Sequence, residues 1–207
     1  MKRKSEFYAI DLFAGCGGLS EGFTQAGFEV IAQVEMDKWA CETLTTRHLY
    51  FELKNIGKGK LYQQFLREEV SRDFIFDKFP EIKEKILHRI IQSEFGKENF
   101  QEILAKIETT RKFHKAPKFQ VVIGGPPCQP YSIAGRSRDP DRMEFDKRHF
   151  LYQYYLEILE NLKPDFFVFE NVPGLITARA ESGEIFRQML HDFENLNPSY
   201  EVAPSFD

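Results

Sequence analysis

Residues 7–27, FYAIDLFAGCGGLSEGFTQAG, decide the fold. A short apolar run ends at Asp11 and meets a glycine-broken turn, AGCGG. LSEGFTQAG then places Leu19, Phe23 and Ala26 at helical spacing before Gly27 stops the helix. FEVIAQVE (28–35) reads as a second strand, and DKWACETLTTRH (37–48) as a second helix with Asp37 as its N-cap. Strand, glycine turn, helix, strand, helix is a β-α-β opening of the Rossmann type, its turn at the carboxyl end of the first strand.

Downstream the same rhythm returns. FQVVIGG (119–125) is a near-continuous apolar strand, as expected where helices cover both faces of a parallel sheet. A polar loop from Gln129 to about Arg148 leads into a helix, FLYQYYLEILENL, and then a strand, DFFVFENV. A helix through IFRQMLHDFENL and a strand-like piece, YEVAPSF, close the chain. Between about 57 and 117 the pattern differs: charged helices carry Ile82, Ile86 and Ile90 on one face, then Phe100, Ile103, Leu104 and Ile107 on another. This stretch reads as a helical insertion on the edge of the α/β domain.

Composition narrows the function classes. The 207 residues suit one domain with an insertion. No run of about 18 apolar residues spans a membrane, and Asp11 arrives too early for a signal-peptide core. Three cysteines, Cys16, Cys41 and Cys128, form no Cys-x-x-Cys pair, which predicts neither a disulfide framework nor a zinc site. A reducing, cytoplasmic setting is the expectation, with Cys16 and Cys41 as packing residues. The net charge of -4 speaks against a uniformly basic nucleic-acid binder. The loop after Cys128 still gathers Arg136, Arg138, Arg142, Lys147 and Arg148, diluted by four acids.

In open parallel sheets ligands bind outside the carboxyl ends of the strands. Four unusual strand ends converge on that rim: Asp11–Gly18, Glu35–Asp37, Gly124–Ser132 and Glu170–Gly174. The turn FAGCGG lacks the Gly-x-Gly-x-x-Gly dinucleotide fingerprint, but its glycines let a ligand approach the backbone beside helix amides. A plain tight turn is the alternative. Glu35, about 20 residues on, ends the second strand where a ribose would lie. Cys128 follows two glycines and two prolines on a stiff turn, poorly placed for packing and well placed for presentation; basic neighbours would favour its thiolate. Glu170 ends an apolar strand, so partial desolvation is expected to raise its proton affinity. Asn171 beside it can donate and accept. A capped turn, ENVPG, is the alternative.

These residues resemble a known family. DLFAGCGGLSEGF, GGPPCQPYS and ENVPG look like the first, fourth and sixth signature blocks of DNA (cytosine-5) methyltransferases, VEMD is similar to the second, and RHFLYQYYLEIL to the fifth. The resemblance implies a Rossmann-like, mostly parallel α/β methyltransferase fold that uses S-adenosylmethionine. It implies cofactor contacts at Phe13, Ala14, Gly15, Gly17, Gly18, Leu19, Pro127 and Leu151, a ribose ligand at Glu35 and an adenine neighbour at Met36. Cys128 matches the nucleophile and Glu170 the carboxyl that engages the target cytosine. Gln129, Ser132, Arg136 and Asn171 fall on the substrate side, Ser132 and Arg136 in the loop that closes over DNA. No metal is implied. The implied partner is double-stranded DNA with its cytosine flipped out of the stack.

The chain departs from the family pattern in two ways. The third-block acid, expected after the third strand, has no clear place; Asp73 and Asp77 are candidates in a helical or irregular context. The later blocks and the target-recognition region are absent, so residues 1–207 read as part of a methyltransferase domain. A split subunit whose partner chain carries recognition, a truncated form and a remnant all fit that reading. The functional alternatives are a non-catalytic cofactor- or DNA-binding subunit and a tRNA cytosine-5 methyltransferase. A nicotinamide oxidoreductase is disfavoured by the missing glycine pattern.

Overall fold

A computed structural model describes residues 7–126, 151–170, 181–196 and 200–203. Pro127, Cys128, Gln129, Ser132, Arg136 and Asn171 lie outside the described residues.

The described strands form one five-stranded sheet, all parallel, in the order β3 (Ile90–Gln92), β2 (Glu29–Glu35), β1 (Tyr8–Leu12), β4 (Val121–Gly124), β5 (Phe166–Phe169). β1 (Tyr8–Leu12) is buried at every position. It leads through the glycine turn into α1 (Gly18–Gln25), and β2 (Glu29–Glu35) pairs beside it. Gly27, at φ 98°, ends the α1 turn in a conformation that favours glycine. Asp37 caps α2 (Lys38–Asn55), accepting the Ala40 amide at 2.7 Å. Strand order reverses after β3, because β4 (Val121–Gly124) returns to the other side of β1 and β5 (Phe166–Phe169) pairs outside it. The crevice between the carboxyl ends of β1 and β4 is therefore the topological switch point.

Alternate residues of the central strands feed two layers. Tyr8, Ile10 and Leu12 pack with α6 (Phe100–Phe113), α7 (Leu151–Leu162) and α8 (Glu181–Glu194), through Ile103, Ile107, Tyr155, Ile158, Leu159 and Phe193. Ala9, Val30, Val121 and Ile123 meet Leu19 and Phe23 of α1. The Rossmann-like reading of the opening holds.

The stretch from 57 to 117 divides in two. α3 (Gly59–Leu66), α4 (Arg72–Lys78) and α5 (Pro80–Arg89) build a separate core with α2, centred on Leu49, Leu53, Ile75, Phe76, Ile82 and Ile86. β3 (Ile90–Gln92) and α6 instead belong to the sheet and its main core. The helical reading through Ile90 is corrected here. The helix ends at Arg89, and Ile90 turns extended to pair with Gln33. β5 also differs from expectation: Phe166 is 40% exposed and its successors are half-buried, because β5 is the outermost described strand. Residues 200–203 of YEVAPSF form no strand. Tyr200 sets its ring against Phe167 and donates its hydroxyl to Pro164 O, 3.0 Å away.

Candidate active site

The glycine turn is held from below. Ala14 donates to Val34 O and Gly17 to Ala14 O, folding the chain back over the end of β2. Phe13 (φ 58°), Gly15 (φ 52°) and Gly17 (φ 85°) all sit in the left-handed region. For a bulky residue such as Phe13 that conformation costs roughly 1–2 kcal/mol and persists only where the surroundings over-determine it. Here the ring of Phe95 lies 4.9 Å from that of Phe13. At Gly17 an added Cβ would come within 2.7 Å of Leu44 Cδ2, so the turn lies flush on α2. At Gly15 and Gly18 an added Cβ would meet nothing within 4 Å. Those two glycines face open space, leaving a bare backbone cradle at the start of α1.

Glu35 closes the second side. Its carboxylate accepts the Gly15 amide at 2.7 Å and the Asp37 amide at 2.8 Å, and the residue is only 9% exposed. Two backbone donors fix both oxygens in place while their remaining lone pairs stay available for hydroxyl donors. Met36 follows, 57% exposed, and Trp39 in the first turn of α2 is 72% exposed with the Lys38 ammonium over its ring.

Beneath the turn runs a buried polar chain with no counterpart in the sequence reading. Ser20 Oγ donates to Asp11 Oδ2 at 2.5 Å, and Gln33 Nε2 donates to Ser20 Oγ at 2.8 Å. Gln33 Oε1 meets His48 Nε2 at 2.5 Å, which makes that nitrogen the protonated one. The chain ties β1, α1, β2 and α2 together directly under the cradle. Burial pushes the Asp11 carboxyl up to about 7, against the pull of its bonds with Ser20 and with a further push from Glu35. Burial, with Arg89 and His114 nearby, pushes His48 down to about 3. The available signal was an acid inside an otherwise apolar strand with a serine nine residues on.

The other half of the rim lies at the ends of β4 and β5. Gly124 (φ 152°) passes so close to β1 that a Cβ there would overlap the Leu12 carbonyl. At Gly125 a Cβ would lie 2.5 Å from Glu170 Oε2 and 2.7 Å from Glu170 O. The paired glycines are thus required by close approach, and Glu170 occupies the space that Gly125 leaves. The Glu170 amide donates to Gly124 O at 2.9 Å. The side chain of Glu170 is exposed, which corrects the expected desolvation: β5 is uncovered on its outer side among the described residues.

Several sequence-predicted residues come together. Phe13, Ala14, Gly15 and Gly17 form the turn, Gly18 and Leu19 open α1 with Leu19 packed towards the sheet, Glu35 holds the Gly15 amide and Met36 follows it, while Leu151, partly buried, opens α7 on the main core. Cys41 is buried, its thiol 3.6 Å from Glu35 O, and burial beside acidic neighbours pushes that thiol up to about 11. Cys16, expected to pack, is exposed on the turn. Asp73 and Asp77 lie on α4, within the separate helical unit, and not at the end of β3. The residue that does follow β3 is Ser93, whose amide donates to Glu35 O at 2.9 Å, and the first acid after it is Glu94. The run of isoleucines hid that strand end from the sequence reading.

No group of three or more His, Cys, Asp or Glu among the described residues is placed to hold a metal ion. No helix among them is long and apolar enough to cross a membrane.

The profile of the C-5 cytosine-specific DNA methylase family matches residues 7–80 and 81–206. The chain belongs to that family. It is 39% identical over 201 residues to the type II methyltransferase M.Bpa9945I of Bacillus paralicheniformis, a match covering 90% of this chain and 45% of that protein. It is 33% identical over 195 residues to the DNA (cytosine-5-)-methyltransferase M.ApeKI of Aeropyrum pernix, covering 93% of this chain and 34% of that one. A crystal structure assigned as a DNA modification methyltransferase encoded within an E. coli prophage superposes with a TM-score of 0.50 at 27% identity, covering 90% of this chain and 37% of that one. The chain thus spans less than half the length of these methylase relatives.

Proposed function

We propose that this chain is the cofactor-binding and nucleophile-bearing part of a DNA cytosine-5 methyltransferase of the restriction-modification type, working in the cytoplasm with downstream sequence or a partner chain that supplies target recognition. One observation carries the reading: Glu170 rests on Gly125, three residues before Cys128, on the strand next to the one that launches the glycine cradle. That contact puts Glu170 at the carboxyl end of the strand whose sequence runs on to Cys128, which supports pairing the two groups that cytosine activation requires. The chain is read as one partial methyltransferase domain in which residues 57–117 include the added helices α3–α5.

Three features of the cradle support S-adenosylmethionine as its ligand: open backbone at Gly15 and Gly18, a fixed carboxylate at Glu35 and an exposed thioether at Met36. Phe13, Ala14, Gly17, Leu19, Pro127 and Leu151 complete the set of contacts. Glu94 takes the place of the third-block acid. When bound, the cofactor supplies an electrophilic methyl group.

The residues of the chain make carbon-5 able to accept that group. Cytosine carbon-5 is a poor nucleophile within an aromatic ring. Cys128 thiolate adds at carbon-6, forming a carbon–sulfur bond, while Glu170 delivers a proton or hydrogen bond to ring nitrogen 3. The ring electrons then reside in an enamine whose carbon-5 is nucleophilic. After methylation a solvent base takes the carbon-5 proton, the double bond re-forms as the carbon–sulfur bond breaks to expel the thiolate, and any proton held at nitrogen 3 returns to Glu170. Addition above the ring plane requires the base to leave the stack. Gln129, Ser132, Arg136 and Asn171 hold the flipped nucleotide and its backbone.

The test combines the chain, with and without its downstream sequence, with labelled S-adenosylmethionine and DNA containing 5-fluorocytosine. Fluorine in place of the departing proton traps the covalent species. A Cys128-dependent adduct is expected in the longer protein. Cofactor binding with no adduct in either form would sink the catalytic reading in favour of a binding subunit. Replacing DNA by tRNA in the same assay separates the tRNA alternative.

A further inference from the structure

Tyr155 is completely buried in the middle of α7, yet its ring alone would be served by phenylalanine at that position. A buried hydroxyl costs free energy unless it is hydrogen-bonded, and this one has two partners. Its single proton is shared between Val122 O at 3.0 Å and Val168 O at 3.1 Å. Both acceptors are backbone carbonyls, one on β4 and one on β5. They sit at the seam where those strands pair, flanked by the ladder bonds Phe166 N to Gln120 O (3.2 Å) and Glu170 N to Gly124 O (2.9 Å).

The position of that seam matters. Val168 lies two residues before Glu170, and Val122 lies two before Gly124, the first of the paired glycines that lead to Cys128. Tyr155 also stands four residues after Leu151, hence on the same face of α7. The ring is fixed by edge-on contact with Phe169 at 5.1 Å and by Phe167 and Phe193, each at 6.2 Å. A rigid phenol thus joins one helix to two strand ends by polar bonds that apolar packing cannot replace.

We propose that Tyr155 is a positioning residue for methyl transfer: its hydroxyl sets the offset between the strand bearing Glu170 and the strand leading to Cys128, and ties both to the helix that begins at Leu151. It touches neither base nor cofactor. The proposal rests on the function given above. Catalytic geometry is sensitive to displacements of about 1 Å, which can cost on the order of 100-fold in rate. Losing one of several restraints on the seam is expected to cost about tenfold.

The experiment compares Tyr155→Phe with Tyr152→Phe in the protein complete with its downstream sequence or partner chain. Tyr152 lies on the same helix and donates its hydroxyl to Asp192 Oδ2 at 3.0 Å, away from the seam. The readouts are the rate of adduct formation on 5-fluorocytosine DNA, kcat, and the KM for DNA and for S-adenosylmethionine. Tyr155→Phe is expected to slow adduct formation and kcat about tenfold, with both KM values within about twofold of the parent and Tyr152→Phe unchanged in rate. Equal adduct rates for the parent and Tyr155→Phe overturn the proposal alone, as do equal losses in both variants, which mark a general stability effect. No adduct in the parent overturns the functional reading and this proposal with it. If Tyr155→Phe does not accumulate folded, 3,5-difluorotyrosine at position 155 keeps the ring and alters the donor. An unchanged adduct rate there overturns the proposal, and a changed rate supports it.

Discussion

The two halves of the rim are built differently. The β1–β2 half is closed on itself: Glu35 takes two backbone amides, Gly17 lies on Leu44, and the Asp11–Ser20–Gln33–His48 chain braces the turn from below. Among the described residues the β4–β5 half is open: Glu170 is exposed, Phe166 is 40% exposed, and β5 is the outermost strand. The frame of a site for a small nucleoside can come mostly from one β-α-β unit, because its ligand is read by backbone and a few local side chains. A site for an extruded base needs surfaces from elsewhere. Affinity for cofactor and competence for transfer should therefore separate experimentally.

The sharpest break comes at Gly124. Gly124→Ala drives a Cβ into the backbone of β1, which no side-chain rotation relieves. It is expected to cost about 3 kcal/mol or more and to disturb both halves together, as seen in urea unfolding and in calorimetric titration with S-adenosylmethionine. Gly125→Ala tests the separation itself. Its Cβ displaces Glu170, so adduct formation is expected to fall roughly 100-fold while cofactor affinity stays within about threefold. A parallel loss of cofactor binding would show that the halves are one unit. On the other half, Ser20→Ala strands Asp11 and Gln33 and is expected to cost about 1–3 kcal/mol. It should weaken cofactor binding in titration more than it weakens DNA binding, with Ser20→Thr restoring part of both.

The smallest effect is a pH signature. Asp11 keeps its proton in the folded state up to about 7, whereas an unfolded aspartate loses it near 4. The folded state binds more protons in that window, so this residue's contribution is full below pH about 4 and is lost as pH rises towards 7. His48 acts with the opposite sign: held neutral down to about 3, it removes stability as pH falls below about 6.5. The two offset one another between pH 4 and 6.5. Urea midpoints of Asp11→Asn should therefore fall more steeply towards acid than those of the parent, and midpoints of His48→Gln less steeply. Parallel curves would remove the chain's role as a titrating unit.

The first 48 residues were legible because each boundary carries its own local chemistry: a glycine at φ 98°, an aspartate cap, and apolar spacing that changes period. β3 was not, since three isoleucines four apart continue a helical face up to the point where the third leaves it. Nor was the exposure of Glu170, which depends on what pairs beyond β5 and not on the apolar letters of β5 itself. The site residues around the turn were readable one by one. The brace beneath them was not, because Asp11, Ser20, Gln33 and His48 are joined only by tertiary approach.

Trp39 carries a practical consequence. It is the only tryptophan in the sequence, it is largely open to solvent, and it stands three residues after Met36. Indole emission from this chain therefore comes from one place at the lip of the cradle. Titration of cofactor should shift and quench that emission without any label. The same signal reports when another surface covers the rim, provided that surface brings no tryptophan of its own.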